Sequence, residues 1–380
     1  MKITIIGAGN AGCLTALHYG WYCRKAPNVE VELIHNPDIK PEPVGQATFL
    51  GPPRLLTAAT NFNWYDNKIH ATFKSGIEYE GWGKKNDKFF HPFFADRMAM
   101  HYCPAEMQES VLNSGHFKLT EGDVDDINNV DADYVFDCRG KPKDFTEYEL
   151  LKNPLNACIL AKPNWKVEEN PWSRHVATPD GWTFVIPMYP VSPSHESAVG
   201  YLYNTDITSR EDAEKNCLEM FDVDITGHLT FNNYVAKNPV VDDRIFLNGN
   251  RLFFLEPLES TAIGAYLDVV RWSFDVLFVR SRTFSEASKG IKKYIEEIQN
   301  FILWHYQFGS KYDTPFWNYA KKLTFKDANF NLMLKEAKRF NEGDVMPPDY
   351  GGDPTSEDVN YAQWFLYSFK NWHTHMTENI

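Results

Sequence analysis

Residues 3–12 read ITIIGAGNAG, and this stretch decides the fold. The apolar run before the glycines predicts a buried strand, and the apolar spacing over residues 11–24 predicts a helix after them. Between the strand and the helix, residues 7–12 fit the pattern G-x-G-x-x-G, which in this context is typical of a dinucleotide-binding turn. We therefore predict a βαβ unit at the start of an α/β fold.

Each glycine of this turn has its own predicted role. Gly7 makes the tight turn, Gly9 lets the backbone approach a pyrophosphate, and Gly12 lets the helix and the strand pack closely. The first N–H groups of the helix, at Asn10 and Ala11, would face phosphate. The pattern thus predicts the phosphate end of a bound dinucleotide, with a purely structural glycine-rich turn as the alternative.

The second predicted strand, residues 29–34, ends at an unexpected residue. Dinucleotide-binding proteins usually carry a ribose-binding carboxylate there, but this chain has His35, and the nearest acid is Glu32. We therefore expect His35 to lie beside the cofactor and ribose recognition to be rearranged.

The rest of the chain mixes strands and helices. A buried strand is predicted over residues 133–138, and an antiparallel sheet over the β-rich stretch 157–203. Further strands are predicted at 71–79, 116–120 and 245–255. Helices are predicted at 54–64, 105–112, 209–220, over most of 265–306 in two segments, and at 361–372.

The composition removes several functional classes. The 380 residues are 43% hydrophobic, too apolar for a disordered chain and ample for a large core. A net charge of −13 argues against nucleic-acid or anionic-membrane partners, which need cationic surface. The sequence shows no signal peptide and no apolar run of about 18 residues, so we expect a cytoplasmic protein without a membrane span.

The spacing of cysteines and histidines gives no support for a metal site. The six cysteines lack a C-x-x-C pair, and the twelve histidines form no H-E-x-x-H pattern. We therefore expect reduced thiols and no metal. Aromatic residues make up 15% of the chain. They could pack in the core, or some of them could line a pocket for a flat substrate.

Several further segments share their pattern with one known family. Residues 181–187 read GWTFVIP and residues 255–263 read LEPLESTAI. They resemble the G-W-x-W-x-I-P and P-L-E-S-T-G-I segments of the flavin-dependent tryptophan halogenases. The matches follow the family's order over roughly residues 1–320, and this short chain looks most like the family's viral, cyanophage-type members. Less specific matches are ATFKSGI (71–77), VGQAT (44–48), ILWHY (302–306) and DTPFW (313–317).

The resemblance implies an FAD-binding, Rossmann-type core similar to that of p-hydroxybenzoate hydroxylase, with an antiparallel sheet and a mainly helical substrate-side region. Residues 1–320 would form this core, including the flavin strap and a tunnel. Residues 321–380 would form a C-terminal helical region that closes the substrate side and could also mediate a homo-oligomer.

The resemblance also implies a reaction. FAD reduced by a separate flavin reductase meets O2 and forms a C4a-hydroperoxide, and halide attack gives hypohalous acid. The acid travels to Lys74 and halogenates a small electron-rich aromatic substrate. An amine suits this position because it forms a haloamine or hydrogen-bonds the acid, and desolvation lowers its pKa towards neutrality. Glu259 would take the arene proton or polarise the oxidant.

The other predicted site residues follow from the matched segments. Backbone N–H groups at Thr261 and Ala262 are expected to bind halide. The predicted tunnel residues are Trp182, Phe184, Ile186 and Pro187. The predicted cofactor-binding residues are Gly7, Gly9, Asn10, Ala11, Gly12, His35, Val44, Gly45, Gln46, Ala47, Leu160, Leu255, Ser260 and Ile263.

Three residues depart from the family pattern. Phe184 replaces the second tryptophan, Gln46 replaces the strap glutamate, and Ala262 replaces a glycine whose backbone helps to hold halide. We expect bromide or iodide to be favoured over chloride, because both are easier to oxidise and the Ala262 methyl group alters the halide pocket. The region after Trp317 is shorter than in the tryptophan enzymes, so tryptophan is not predicted as the substrate.

Two other functions fit the same sequence pattern. A flavin-dependent aromatic monooxygenase would need neither Lys74 nor Glu259 and would normally bind NAD(P)H itself. A non-catalytic flavin-binding protein is disfavoured by the intact lysine and glutamate. Without the resemblance, Lys74 fits a solvated strand lysine, Glu259 a helix-cap acid, and Trp182 and Phe184 ordinary core aromatics.

Overall fold

The computed structural model describes most of the chain up to residue 323 and four residues near the C-terminus. The described residues are 1–41, 45–48, 51–65, 67–83, 87–93, 99–188, 197–323, Ser368, Asn371, Trp372 and His375. Most of the helix predicted over residues 361–372 lies outside them, and the domain boundary predicted at residue 320 stays a prediction.

The described chain contains many short strands with helices between them, and it ends in a series of helices. The strands are β1 (Lys2–Ile6), β2 (Glu30–His35), β3 (Gln46–Ala47), β4 (Thr72–Lys74), β5 (Gly76–Glu80), β6 (Lys88–Pro92), β7 (Ala99–Tyr102), β8 (Lys118–Glu121), β9 (Tyr134–Asp137), β10 (Tyr148–Leu150), β11 (Ala157–Pro163), β12 (Trp172–Thr178), β13 (Gly181–Ile186), β14 (Ala198–Tyr203), β15 (Val223–Thr230), β16 (Tyr234–Ala236), β17 (Val240–Val241), β18 (Ile245–Leu247) and β19 (Phe253–Phe254). The α-helices are α1 (Asn10–Cys23), α2 (Pro52–Thr60), α3 (Pro104–Leu112), α4 (Arg210–Met220), α5 (Thr261–Phe274), α6 (Phe284–Tyr306) and α7 (Pro315–Ala320).

The first sheet carries the glycine-rich turn. Its six strands run in the order β17-β18-β9-β1-β2-β8 and are parallel except for the β17–β18 pair. The middle strand β1 buries Ile3 and Ile5 completely, and α1 follows it directly with Leu14 and Leu17 in the same core. This is the βαβ unit that the sequence predicts, and it confirms the α/β fold class with a Rossmann-type core.

The second sheet has seven strands in the order β15-β11-β14-β13-β12-β5-β6. It is antiparallel except for the parallel β12–β5 pair, which confirms the antiparallel sheet predicted over residues 157–203. On one face α4 packs Ala213 and Cys217 against Val199 and Tyr201. Smaller sheets, β10-β16-β19 and β3-β7-β4, flank the two large ones.

Three predicted elements differ from the structure. Residues 71–79 form two strands, because the chain passes from the small sheet in β4 to the large sheet in β5. Residues 245–255 form β18, a 3-10 turn and β19, because the Asn248 side chain accepts from the N–H of Gly249 and turns the chain. The helix predicted at 54–64 is α2, and it ends where Asn61 adopts the left-handed conformation.

A helical layer follows the sheets. The capping box of Thr283 and Glu286 begins α6, whose last six residues, 301–306, are all buried. This burial brings His305 and Tyr306 against the segment 255–263. All six cysteines are free and buried. No helix in the described ranges is long and apolar enough to span a membrane.

Candidate active site

A cavity of about 470 Å³ lies between the glycine-rich turn and the seven-stranded sheet. This volume falls within the usual range for a ligand pocket. One end is lined by Gly9, Asn10 and Ala11 at the start of α1, and the other by Ser260 and Ala262 at the start of α5. Two helix N-termini, each with N–H groups that have no partner within the helix, therefore border one cavity.

The glycine turn leaves room for a phosphate group. A Cβ atom at Gly9 would have no heavy atom within 4 Å, whereas one at Gly12 would lie 1.8 Å from the carbonyl oxygen of Gly7. Gly7 has φ +96°, which side chains rarely adopt. Gly7 and Gly12 thus keep strand and helix close while Gly9 opens to the cavity, and the residues present fit a dinucleotide.

The strap predicted at residues 44–48 is tied to this turn. Asn10 donates its side-chain amide to Oε1 of Gln46 at 2.8 Å, and the Tyr102 hydroxyl donates to Asn10 Oδ1 at 2.9 Å. Gln46 also pairs with Tyr102 between β3 and β7. Gln46 therefore keeps a hydrogen-bonding role where the family has a glutamate. Val44 lies outside the described residues.

The second-strand residues are arranged differently from the expectation. His35 is buried at the end of β2 but does not line the cavity. Glu32 is occupied: Lys2 and Lys118 lie 3.3 Å and 2.9 Å from its carboxylate, and the Thr120 hydroxyl donates to it at 2.7 Å. Burial by itself raises the pKa of Glu32, yet these partners hold it at about 2. Glu32 is thus a buried carboxylate that is paired with two lysines.

The segment 255–263 makes a strained turn at the other end of the cavity. Glu259 and Ser260 have φ values of 66° and 55°, both in the left-handed region. Such residues cost about 1–3 kcal/mol each unless their surroundings hold them. Their side chains point to different partners, so one turn serves two sets of contacts.

Lys74 is the partner on the Ser260 side. Its side chain is completely buried, and its amine donates to Ser260 Oγ at 2.8 Å. The amine also lies 5.1 Å from the centre of the Phe93 ring. Burial lowers the pKa of Lys74 to about 7, although the negative charge of Glu259 acts in the opposite direction. A large fraction of the Lys74 amine is therefore neutral near pH 7. The amine lies directly behind Ser260, which lines the cavity.

Glu259 is held on the other side by four polar groups. The Tyr79 hydroxyl donates to Oε1 at 2.5 Å, and His305 Nε2 lies 3.1 Å from the same oxygen. Ser368 donates to Oε2 at 3.3 Å, and His91 Nε2 lies 3.5 Å from it. Burial raises the pKa of this carboxyl, but His91 and His305 together hold it well below its usual range. Glu259 is thus an anchored carboxylate.

The structure brings Lys74 and Glu259 to the same turn but not into direct contact. The ion pairs found among the described residues do not include one between them. Lys74 reaches the turn through Ser260, and Glu259 faces the histidines.

Glu256 is a second buried carboxyl in this segment. The Trp182 indole N–H and the Tyr306 hydroxyl donate to Oε2 at 3.0 Å and 2.7 Å, and Asn153 donates to Oε1 at 3.0 Å. None of these partners is a cation, and burial raises the pKa of Glu256 to about 7. Glu256 therefore fixes the orientation of the Trp182 ring.

The predicted site residues divide into two groups. Those that line the cavity are Gly9, Asn10, Ala11, Gly45, Gln46, Ala47, Leu160, Phe184, Ile186, Leu255, Ser260, Ala262 and Ile263. Those that do not line it are Gly7, Gly12, His35, Lys74, Trp182, Pro187, Glu259 and Thr261. Within the second group, Gly7 and Gly12 shape the turn that borders the cavity, and Lys74 contacts the cavity residue Ser260.

Sequence reasoning missed several residues that shape this site. Tyr79, His91 and His305 surround Glu259, and His175 lines the cavity. The alternation of β5 and the W-H-Y pattern at the end of α6 are the signals that could have placed Tyr79 and His305 on the buried face. The cross-strand register that places His175 leaves no local signal.

Comparison with known proteins points in one direction. The sequence profile described as tryptophan halogenase matches residues 2–114 and 105–376. The chain is 24% identical to tryptophan 7-halogenase KtzQ of Kutzneria sp. (strain 744), over 77% of this chain and 58% of that protein. It is 26% identical to tryptophan 7-halogenase RebH of Lentzea aerocolonigenes, over 86% of this chain and 80% of that protein. The chain thus spans little more than half of the length of KtzQ.

Solved structures share the fold. The tryptophan 6-halogenase SttH of Streptomyces toxytricini superposes with a TM-score of 0.76 at 17% identity, covering 97% of this chain and 90% of that one. MibH, described as a lanthipeptide-type tryptophan 5-halogenase, gives a TM-score of 0.77 at 19% identity, covering 99% and 85%. At these identities the likeness establishes the fold.

The buried carboxyl of Glu256 generates a stability prediction. Its pKa rises from 4.5 to about 7 on folding, so the folded chain binds more protons than the unfolded chain between those values and loses stability as pH rises through them. Glu256→Gln removes this titration. We expect the stability of the variant relative to the parent to increase by up to about 3 kcal/mol from pH 4.5 to 7 and to stay level above pH 7.

Urea unfolding of both proteins across this pH range measures the difference. Glu169→Gln, at an exposed carboxylate, is the control and should change the profile little. A stability difference between Glu256→Gln and the parent that does not vary with pH would contradict the assignment.

Proposed function

This chain belongs to the tryptophan halogenase family, and we propose that it is a halogenase that uses reduced FAD, O2 and halide to halogenate a small electron-rich aromatic substrate. The observation that carries the proposal is the Lys74 amine. It is fully buried, has a pKa lowered to about 7, and lies 2.8 Å from Ser260, a residue of the cavity wall.

The cavity residues fit FAD, with the pyrophosphate at Gly9, Asn10 and Ala11 and the strap residues Gln46 and Ala47 alongside. When bound, reduced FAD supplies the oxidising chemistry with O2: FADH2, O2, one halide ion and one proton give FAD, hypohalous acid and water. A separate flavin reductase would supply the FADH2, as the family resemblance implies.

Halide would bind at the start of α5. The first N–H groups of a helix have no partner within it and attract anions. Thr261 and Ala262 occupy these positions, and Ala262 lines the cavity. The Ala262 methyl group changes the shape of the site beside these donors. The expected preference for bromide and iodide rests on their being easier to oxidise than chloride.

Lys74 then receives the hypohalous acid. As a neutral amine it can accept a hydrogen bond from the O–H of the acid. It can also exchange one of its own N–H hydrogens for the halogen, which leaves a haloamine and releases water. Transfer of the halogen to an arene carbon, with uptake of one proton by the nitrogen, restores the amine, and the arene carbon loses its proton to a base, so no net proton is consumed. Burial matters because it excludes the water that would otherwise consume the oxidant.

Glu259 supports this step through electrostatics. Its anchored negative charge lies near enough to the Lys74 amine to oppose the lowering of that amine's pKa. A fixed anion stabilises positive charge that develops on a nearby arene. We propose this role for Glu259, with Tyr79, His91 and His305 holding it in place.

A flavin-dependent monooxygenase would give a different product from the same cavity. Hydroxylation adds oxygen to the substrate and does not depend on halide. A buried lysine behind the cavity wall, in contact with Ser260, has no use in that reaction, so the geometry favours halogenation. The acidity of the chain favours a neutral or cationic arene over an anionic one. A viral source and a cytoplasmic location stay predictions.

Replacement of Lys74 tests the proposal. We expect Lys74→Ala to bind FAD as the parent does but to lose substrate halogenation by about 100-fold or more, because the oxidant no longer has its acceptor. Product formation is measured by mass spectrometry on a panel of aromatic compounds with FAD, a flavin reductase, NADH, O2 and bromide.

Lys88→Ala is the control, since Lys88 lies on β6 at the edge of the seven-stranded sheet and pairs with the partly exposed carboxylates of Glu78 and Glu80. It should halogenate as the parent does. Full activity in Lys74→Ala would overturn the lysine assignment, and halide-independent hydroxylated product from the parent would favour the monooxygenase.

Halide competition is a separate prediction. With equal concentrations of chloride, bromide and iodide, we expect brominated or iodinated product to exceed chlorinated product severalfold. Ala262→Gly should raise the chlorinated share, because it restores the glycine of the family pattern. A clear chloride preference in the parent would contradict this account of the halide site.

A further inference from the structure

The four described residues near the C-terminus share one face of a helix. Ser368, Asn371, Trp372 and His375 are all helical, and their spacing places them on the same side of it. We call these four residues the C-terminal face. Trp372 is completely buried, and the His375 ring stacks on Phe89 with the ring centres 4.1 Å apart. The C-terminal face therefore packs against β6.

The three side chains that hold Glu259 all contact this face. The ring centre of Trp372 lies 4.5 Å from that of Tyr79 and 4.5 Å from that of His305, and it meets both rings edge-on. The third side chain, His91, contacts the face through hydrogen bonds. The packing around the Glu259 carboxylate is thus completed by residues from this distant part of the chain.

Ser368 and Asn371 occupy both ring nitrogens of His91. Ser368 Oγ lies 2.8 Å from Nε2, and Asn371 Nδ2 lies 2.9 Å from Nδ1. A ring with partners on both nitrogens cannot rotate without losing both contacts. Ser368 also donates to Oε2 of Glu259 at 3.3 Å. The C-terminal face therefore reaches the carboxylate directly and through His91.

His91 matters for the charge of Glu259. Burial raises the pKa of this carboxyl, and His91 is the group that does most to lower it, followed by His305. The other titratable groups that face Glu259 or act on it by charge are Tyr79 on β5, Lys74 on β4 and His175 on β12. If His91 lost its position, the pKa of Glu259 would rise.

We propose that Ser368 and Asn371 are positioning residues for the Glu259 carboxylate, which they keep ionised and oriented for halogenation. The proposal deepens the halogenase function and rests on it. Neither residue takes part in a covalent step. The geometry of Glu259 is on this account set by contacts from residues more than 100 positions further along the chain, since Ser368 follows it by 109.

The test compares Ser368→Ala, which removes the hydroxyl, with Ser368→Thr, which keeps one. Asn371→Leu removes the second contact to His91 at similar size. The control is Ser288→Ala, since Ser288 is a partly buried serine on α6 that accepts from the backbone N–H of Val240. The kcat and KM for arene bromination are measured for each protein from acid to alkaline pH.

We expect Ser368→Ala to lower kcat about tenfold, the factor given by one lost hydrogen bond to a charged group, with KM close to that of the parent. The acid limb of the kcat profile should move up by about one pH unit, because a carboxylate with less support is protonated more readily. Asn371→Leu should move this limb in the same direction. Ser368→Thr should recover most of kcat, and Ser288→Ala should match the parent.

A kcat and an acid limb that match the parent in Ser368→Ala would overturn the proposal. A higher KM at unchanged kcat would also overturn it, since the residue would then serve substrate binding. A Ser368→Thr protein as impaired as Ser368→Ala would do the same. If Ser368→Ala does not fold, Asn371→Leu decides by the same criteria.

A second measurement separates this proposal from the halogenase function. Carbon-13 NMR of protein labelled at the glutamate carboxyl carbons follows Glu259 directly, with Glu259→Gln to identify its signal. A higher titration midpoint in Ser368→Ala than in the parent supports the positioning role, and equal midpoints refute it. A parent protein that brominates no arene would refute the halogenase function, whatever the titration shows.

Discussion

The site depends on a buried lysine amine that contacts no carboxylate directly among the residues that the structure describes. Lys74 is completely enclosed, and its described hydrogen bond is to a serine hydroxyl. A charged amine in such a place is costly, so the protein shifts its pKa towards neutrality instead. That shift turns an ordinary cation into a nucleophile near pH 7. The surrounding structure has to keep the amine dry and in position.

Two local features of the chain meet this requirement. Lys74 ends the short strand β4, and the chain enters the large sheet two residues later at Gly76. A Cβ atom at Gly76 would lie 2.4 Å from the carbonyl oxygen of His91, so a glycine is needed for β5 and β6 to approach. The break between the sheets is what places Lys74 at their junction, beside Ser260.

The left-handed turn at Glu259 and Ser260 supplies the second feature. Two successive residues with positive φ would not persist without compensation. Tyr79, His305 and His91 provide it by holding the Glu259 carboxylate, which directs the Ser260 hydroxyl to Lys74. The same turn starts α5, whose N-terminus borders the cavity. The same turn therefore both holds the Glu259 carboxylate and directs the Ser260 hydroxyl towards Lys74.

Much of this arrangement could be predicted from the sequence, and the reason differs from part to part. The glycine turn is local, because strand, glycines and helix are consecutive, and its geometry agrees with the prediction. The prediction that Lys74 is desolvated rests on the family resemblance of its segment, because a lysine in a single strand gives no such signal. The sequence does not predict that the strand is interrupted at Ser75, because residues on both sides of it are β-forming and nothing in the pattern marks the passage from one sheet to another.

The contacts of Glu256 and His175 could not be predicted for a different reason. Each depends on which strands or helices are neighbours and in what register, as when His175 pairs with both Phe184 and Tyr79. Register is set by the whole sheet and by turns far along the chain. Tyr306 reaches Glu256 from the end of α6, 50 residues away in sequence.

The most direct test of the account is the ionisation of Lys74 itself. Carbon-13 NMR of protein labelled at the lysine Cε atoms follows each amine through a pH titration, and the signal absent from Lys74→Met identifies residue 74. The account predicts a midpoint near pH 7 for this signal, well below the ordinary lysine pKa of 10.5. A Lys74 midpoint close to 10.5 would show a charged, solvated amine and would contradict the account.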